Sequence, residues 1–371
     1  MATVIFTKYE QYNPQALQRL LMQMLEEGNL AGSIRPGERI LLKPNLLSAR
    51  QPDAGVTTHP AIVEAVAKAV LQIGATPVIS DSPGGAIRGT KRVLENTGMA
   101  NVAKRLGIET VPLETLGART FELDDGETLY LTRFLDDVDG IINIPKLKTH
   151  SLILTTFAIK NLYGLVPGFR KAEYHKIYPS PKKFAWLLAE IYTRVSSKIR
   201  FTVMDGIVAM DGNGPSSGRL RNLGILALSD DAAAMESAFE RLVGLKSPSP
   251  VMRELLNREI VPHYSLKWIG EPIRHIEDFQ IPSNWIMRFV PSWFTRLAGT
   301  LVRVYPGVDL EKCIKCGECF RSCPVNAISM EAGKTPPAFD YGKCIRCLCC
   351  HEICPEKAVV FRKSWLASFI K

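Results

Sequence analysis

Through the first 240 or so residues, short unbroken apolar runs alternate with stretches whose apolar positions recur every three or four residues. ATVIFTKY (2–9) is a run of the first kind, and PQALQRLLMQMLEEG (14–28) has helical periodicity closed by Gly28. ERILLKPNLL (38–47) reads as a strand running into a Lys43-Pro44-Asn45 turn. HPAIVEAVAKAVLQIG (59–74) opens with Pro60 at a first helical position and stops at Gly74. TPVISDSPGG (76–85) is a strand emptying into a Gly-rich loop. VDGIINIPK (138–146), RFTVMDGIVAM (200–210) and LGILALSD (223–230) have the length and continuity of buried strands, and SPKKFAWLLAEIYTRVSS (180–197) is an amphipathic helix. A β-then-α rhythm of this kind predicts an α/β fold: a mainly parallel sheet flanked by helices on both faces.

In such sheets ligands bind where the strands end and the loops emerge. The polar residues at those exits are Lys43 and Asn45; Thr57, Thr58 and His59; Asp81, Gly84 and Gly85; Lys146, Lys148, Thr149 and His150; Lys160 and Asn161; then Asp205, Asp211, Gly212, Gly214 and Pro215. Taken singly, each has an ordinary structural role. Asn45 and Asp81 form turns, Thr58 or His59 caps a helix, and the glycines supply positive φ. Their shared position is what marks a functional surface. Within PKLKTHSLILTTFAIKNLYGLVPG (145–168), Lys160 lies inside an apolar run, where a lysine must either snorkel to water or meet an anion. Lys160 and His150 are therefore the candidate catalytic residues, and Lys43 and Asn45 the candidate contacts to an anionic substrate.

The tail carries the strongest chemical signal. All nine cysteines fall between residues 313 and 354. Eight form two runs, Cys313-x2-Cys316-x2-Cys319-x3-Cys323-Pro324 and Cys344-x2-Cys347-x2-Cys350-x3-Cys354-Pro355. This is the ligand spacing of bacterial ferredoxins with two [4Fe–4S] clusters. Three thiolates on one tight loop cap three irons of a cube, and the fourth cysteine serves the other cube. The spacing assigns Cys313, Cys316, Cys319 and Cys354 to one cluster, and Cys344, Cys347, Cys350 and Cys323 to the second. Cys349 is left over and is expected to pack as a small apolar residue. Zinc ribbons use paired C-x2-C steps with longer gaps, and a disulfide framework belongs to small secreted domains, so both fit poorly.

Composition narrows the partners. The formal charge is +9, but each oxidised cube with four thiolates brings about −2, which removes nearly half of the surplus. The remaining basic residues are scattered, without an aromatic-interleaved stripe, so nucleic acid is not expected as a partner. An anionic substrate and a soluble electron donor or acceptor protein are. No G-x-G-x-x-G follows a predicted strand and no P-loop occurs, which disfavours NAD, FAD bound through that fingerprint, and ATP. The N-terminal residues lack the apolar core of an export signal, and no apolar run is long enough to span a bilayer. With air-sensitive clusters, these features point to the cytoplasm.

Residues 1–245 are thus expected to form the α/β domain and 304–363 a small α+β ferredoxin-like two-cluster domain. Residues 246–303 are read as linker and docking helices. NWIMRFVPSWFTRLAGTLVR (284–303) offers an apolar face that either docks the two domains or makes a peripheral membrane contact.

KPN (43–45), HP (59–60), DSPGG (81–85), PKLKTH (145–150), KNLYG (160–164) and MDGIVAMDGNGP (204–215) form a series that resembles the family catalogued as domain of unknown function 362 over roughly residues 38–240. Many of its members carry a C-terminal two-cluster ferredoxin module. The resemblance implies an iron–sulfur protein, redox-active, with no substrate established for the family. Separately, His150 and Lys160 followed by Pro167-Gly168 are similar to the segment of nickel-pincer lactate racemases in which a histidine precedes the cofactor-bearing lysine. The other histidines of that site are not matched, His59 and His175 being the nearest equivalents. That likeness implies a related fold and not the same reaction. Two functions follow as expectations: electron relay to a small anionic substrate in the α/β domain, or a ferredoxin-like carrier or assembly partner whose α/β domain binds another protein.

Overall fold

The computed structural model describes residues 2–83, 90–168, 170–270, 275–282, 304–347 and 349–363. In chain order the strands are β1 (Ala2–Lys8), β2 (Arg39–Pro44), β3 (Thr76–Ile79), β4 (Glu109–Thr110), the hairpin β5 (Ala118–Glu122) and β6 (Thr128–Thr132), β7 (Gly140–Ile144), β8 (Lys146–His150), β9 (Leu154–Thr155), β10 (Ile199–Asp211), β11 (Arg219–Ser229) and β12 (Leu266–Gly270). The main sheet runs β12-β1-β11-β10-β7-β2-β3-β4, with β8 paired to the far half of β10 and β9 paired to β8. Along that path only β11 runs against its neighbours. The sheet is therefore mostly parallel, as the alternating pattern predicts. One long strand, β10, pairs first with β7 and then with β8, and its pairing with β11 shifts register between Gly206 and Val208.

The helices are α1 (Pro14–Glu27), α2 (Pro60–Ile73), α3 (Thr90–Asn96), α4 (Met99–Leu106), α5 (Ala158–Asn161), α6 (Arg170–Ile177), α7 (Pro181–Val195), α8 (Ala232–Leu242) and α9 (Pro250–Asn257). Strand pleating sends neighbouring residues to opposite faces. Ile40 and Leu42 of β2 thus join Leu17, Leu21, Val63 and Val102 on one side. Leu41 joins Phe184, Leu187, Phe239 and Leu255 on the other. Polar residues fix where helices begin. The Asn13 side chain accepts from the amides of Gln15 and Ala16 at 3.1 Å ahead of Pro14, and Asp231 accepts from Ala233 and Ala234 at the start of α8. Gly74 ends α2 at φ 90°.

The α/β unit extends past the boundary expected at residue 245. Helix α9 packs on α7, and β12 adds a parallel edge strand beside β1. The amide of Gly212 donates to the Gln280 carbonyl at 2.7 Å, tying residues 275–282 to the same unit. The apolar segment 284–303 and the tail 364–371 lie outside the described residues.

The C-terminal unit is small and α+β. Val304–Val308 pairs antiparallel with Val359–Lys363, Ile328–Ser329 with Ala338–Phe339, and two short helices span Glu318–Arg321 and Cys349–Ile353. Two contacts dock it onto the sheet unit. Ser216 Oγ donates to the Glu352 carbonyl at 3.0 Å, and the Arg50 guanidinium donates to the Cys354 carbonyl at 2.5 Å.

Candidate functional site

The carboxyl ends of β2, β3 and β7 converge on a set of buried lysines. Lysine is almost never fully buried unless paired, yet Lys43, Lys146 and Lys148 all are. Two of them are paired. The Lys43 ammonium meets Asp81 Oδ1 at 2.7 Å, and Lys146 meets Asp205 Oδ2 at 2.8 Å. Lys148 is different: 0% exposed, it donates to Asn45 Oδ1 at 3.0 Å and to the Val56 carbonyl, without a carboxylate in contact. Burial pushes its pKa down to about 7.

Asn45 is the hinge of an amide chain that orients this lysine. Its Nδ2 donates to Asn161 Oδ1 at 3.1 Å, and Asn161 Nδ2 in turn donates to Asn143 Oδ1 at 2.8 Å and to the Lys43 carbonyl. The Asn45 amide donates to Thr58 Oγ1, which donates on to the Ile144 carbonyl. Every member is satisfied, so the network holds one arrangement.

Beyond it opens a cavity of about 720 Å³, its mouth included. Asn45, Lys148, His150, Thr156, Lys160, Lys171 and His175 line it from the sheet unit. Lys160, half-buried, places its ammonium 4.6 Å from the Tyr163 ring centre and 5.6 Å from that of Phe184. Burial depresses its pKa, only partly countered by Glu352 and Cys349. Lys171 and His175 stand one turn apart on α6. Lys171 donates to the carbonyls of Ser82 and Pro83, and burial brings it to about 7 as well. His175 stacks on Phe184 with ring centres 4.5 Å apart and is held down to about 3 by burial. Buried polar atoms face the cavity unsatisfied. His175 Nδ1 and Thr156 Oγ1 have no hydrogen-bond partner among the described residues. Gly164 is required on the rim, because a Cβ there would strike the Asp81 carboxylate and the Lys43 ammonium.

The opposite wall comes from the C-terminal unit: Ser322, Cys349, Glu352 and Ile353. His150 Nδ1 accepts from the Leu152 amide at 3.0 Å, which leaves the proton of the neutral ring on Nε2. Nε2 lies 3.3 Å from Glu352 Oε1. Burial would raise the Glu352 pKa, but His150 first and then Lys160 and His175 hold it down to about 2.

The cysteines do not converge on a point. Among the described residues no group of three His, Cys, Asp or Glu side chains meets at a single-ion position. Cys313, Cys316, Cys319 and Cys354 line one cavity of about 350 Å³. Burial raises the Cys350 thiol pKa well above its ordinary value, and the neighbouring Cys347, Cys319, Cys344 and Cys323 raise it further. The Ala327 amide donates to Cys323 Sγ and the Ala358 amide to Cys354 Sγ, both at 3.2 Å, so the two runs repeat the same bond.

Of the residues singled out in the sequence, Asn45, Asp81, Lys148, His150, Lys160, Asn161 and Pro215 line the cavity together. Lys43 does not. Its ammonium is taken by Asp81 and the Pro44 carbonyl. Lys146, Asp205 and His59 form a separate structural cluster with Tyr12, whose ring stacks on His59 at 3.6 Å. Asp211 binds Arg219 and Arg221. Gly84 and Gly85 lie outside the described residues. Sequence reasoning missed Lys171, Thr156 and Glu352. The i, i+4 spacing of Lys171 and His175 was a usable signal, and so was the polar Glu352 amid the second cysteine run.

Comparison with known proteins follows this division of the chain. The structure of the lactate racemase apoprotein from Thermoanaerobacterium thermosaccharolyticum is similar with a TM-score of 0.40 and 12% identity, over 64% of this chain and 56% of that one. The thylakoid-associated protein sll1697 of Synechocystis sp. (strain ATCC 27184 / PCC 6803 / Kazusa) is 35% identical over 246 residues, 66% of this chain and 75% of its own length. Residues 305–355 match the 4Fe-4S dicluster domain, which makes this an iron–sulfur protein. With residues 40–240 matching in addition, the chain belongs to the family described as domain of unknown function DUF362.

Proposed function

We propose that the protein is a cytoplasmic oxidoreductase that takes electrons from a soluble donor protein and delivers them, through two [4Fe–4S] clusters, to a small anionic molecule held in the cavity between its two units. The observation that carries this reading is the shared wall: Cys349 and Glu352, on the helix that bears cluster cysteine Cys350, face Lys148 and Lys160 across one cavity. The cysteines fit the clusters. Cys313, Cys316, Cys319 and Cys354 line one volume, and Cys323, Cys344 and Cys347 are near enough to Cys350 to raise its pKa. When bound, the clusters supply one-electron transfer. The amides of Ala327 and Ala358 bond to thiolate sulfur and thereby tune potential.

The rest of the task falls to side chains. Lys148 and Lys171 are held by carbonyl and amide oxygens, with their charge open to a ligand. Lys160 reaches the cavity from a floor of aromatic rings. His150 carries its one ring proton on Nε2, oriented by the Leu152 amide, and can offer it as a hydrogen bond to a ligand oxygen.

The test is anaerobic. Cluster-loaded protein is reduced with dithionite, freed of excess reductant, and exposed to fractionated cell extract. The low-molecular-weight fraction is expected to reoxidise the clusters, and Lys160→Ala to retain both clusters while losing that reaction. Reoxidation by the macromolecular fraction alone would replace this reading with a carrier whose sheet unit binds another protein.

A further inference from the structure

We infer that the cavity takes a compact doubly charged oxyanion, a phosphate monoester or a short dicarboxylate. The inference rests on the proposed reading only in treating this cavity as the substrate site; it does not depend on electron flow.

Charge arithmetic across the walls carries it. Lys148, Lys160 and Lys171 face the cavity, and among the described residues none has a carboxylate within ion-pair distance. The one carboxylate that lines the cavity without an ammonium partner is Glu352, whose neighbour is His150. Lys43 and Asp81 cancel each other. With all three lysines protonated, three cations against one anion leave a surplus of two. Uncompensated charge away from water is costly, and groups so placed either shed protons or bind counter-charge. Both lysines that hydrogen-bond the wall do so through neutral oxygens, which fixes position without using up charge. The neutral partners match the same ligand: Thr156 and His175 line the cavity, and Thr156 Oγ1 and His175 Nδ1 have no partner among the described residues. A dianion restores neutrality and offers these groups acceptor oxygens. A monoanion leaves one positive charge buried. The figure of about 720 Å³ takes in open solvent at the mouth, so the enclosed part beside the lysines suits a compact ligand.

The competing use of these lysines is to balance the negative charge of the adjacent cluster. The two are separated by isothermal titration calorimetry on cluster-loaded, oxidised protein under anaerobic conditions, with inorganic phosphate, succinate and acetate as probes. Phosphate or succinate is expected to bind once per chain at least tenfold tighter than acetate. Lys148→Met and Lys171→Met are each expected to weaken the favoured dianion tenfold or more with cluster absorbance unchanged. Where a buried substitution abolishes folding, Lys160→Gln at the half-buried position serves instead, with the same expected loss. Phosphate alone binding identifies a phosphate ester, and succinate alone a dicarboxylate. Equal affinity for acetate, no binding by either dianion, or binding indifferent to all three substitutions overturns the inference and assigns the lysines to the cluster. Dianion binding with no reoxidation by small molecules would remove the electron-transfer reading and leave this one standing. Reoxidation by an uncharged molecule would do the reverse.

Discussion

At the scale of single residues, the site depends on which charges are spent and which are open. Lys43 and Lys148 look alike in sequence, each near a strand end, yet Asp81 neutralises the first and no carboxylate touches the second. That difference was illegible in the chain, because Asp81 and Asn45 are brought to their lysines only by the sheet. Lys160 and His150 were legible, since a cation in an apolar run and a histidine at a strand exit are locally anomalous. Gly164 gave no such signal. Gly164→Ala is expected to force apart the Lys43–Asp81 pair and to lower unfolding free energy by about 1–3 kcal/mol, the usual cost of overpacking. Chemical denaturation checks it, and an unchanged midpoint would mean that the pair has room to shift. The depressed lysines give a pH dependence. Around Lys148 and Lys171 are Lys160, the imidazoles of His150 and His175, the Tyr163 phenol, the Cys349 thiol and the carboxylates of Glu352 and Asp81, with Glu114 and Lys43 acting on Lys171 as well. His175 and Glu352 titrate near 3 and 2 and stay fixed at neutral pH. Lys148 and Lys171, near 7, do not. A dianion binds their charged forms, so its affinity is expected to fall steadily above pH 7, with protons taken up on binding. Calorimetry in buffers of different ionisation enthalpy measures that uptake. For stability the sign is opposite: the unfolded chain holds these protons up to the ordinary lysine range, so unfolding free energy gains from these two groups as pH rises above 7.

At the scale of elements, the periodic pattern was sufficient for β2, β3, β7, β10, α2 and α7, each of which buries one continuous apolar face. It failed where pairing partners are distant. Nothing local in Leu266–Gly270 announces an edge strand, which forms only because β1 offers a free edge to the parallel register from Ala2↔Leu266 to Phe6↔Gly270. The strand exits also serve two purposes that sequence position cannot separate. One cluster builds the cavity; the other, around Asp205, clamps β10 to the start of α2 and to Tyr12. Asp205 receives Lys146, the Tyr12 hydroxyl and the His59 amide. Asp205→Asn leaves the Lys146 ammonium buried without its anion, and a broken buried pair costs about 3–5 kcal/mol. Thermal unfolding of the cluster-loaded protein is expected to show that loss, while succinate or phosphate affinity stays within twofold. A parallel loss of anion affinity would mean that the two clusters are coupled through β8.

At the scale of the whole molecule, the two units differ in what holds them together. The sheet unit has an extensive apolar core on both faces. The core of the C-terminal unit reduces to Ile328, Ala358 and Val359 among Cys319, Cys350 and Cys354, so its interior is largely the cysteines themselves. A unit this small ordinarily needs metal or cross-links to fold. The spacing of the cysteines made this much plain from sequence. What it left hidden is that the same unit closes the cavity, through Ser216 to Glu352 and Arg50 to Cys354. Removing iron with a chelator under anaerobic conditions is therefore expected to act in two steps. Amide exchange should accelerate across residues 304–363 first, with β2, β7 and β10 still protected. The cavity wall carrying Glu352 is lost in that step, so the anion is expected to bind at least tenfold more weakly to the stripped protein even though every lysine remains. Loss of protection in both units at once would show that the clusters stabilise the sheet as well. Anion affinity unchanged after stripping would show that Glu352 and its helix contribute nothing to the site, and that the lysines bind from the sheet unit alone.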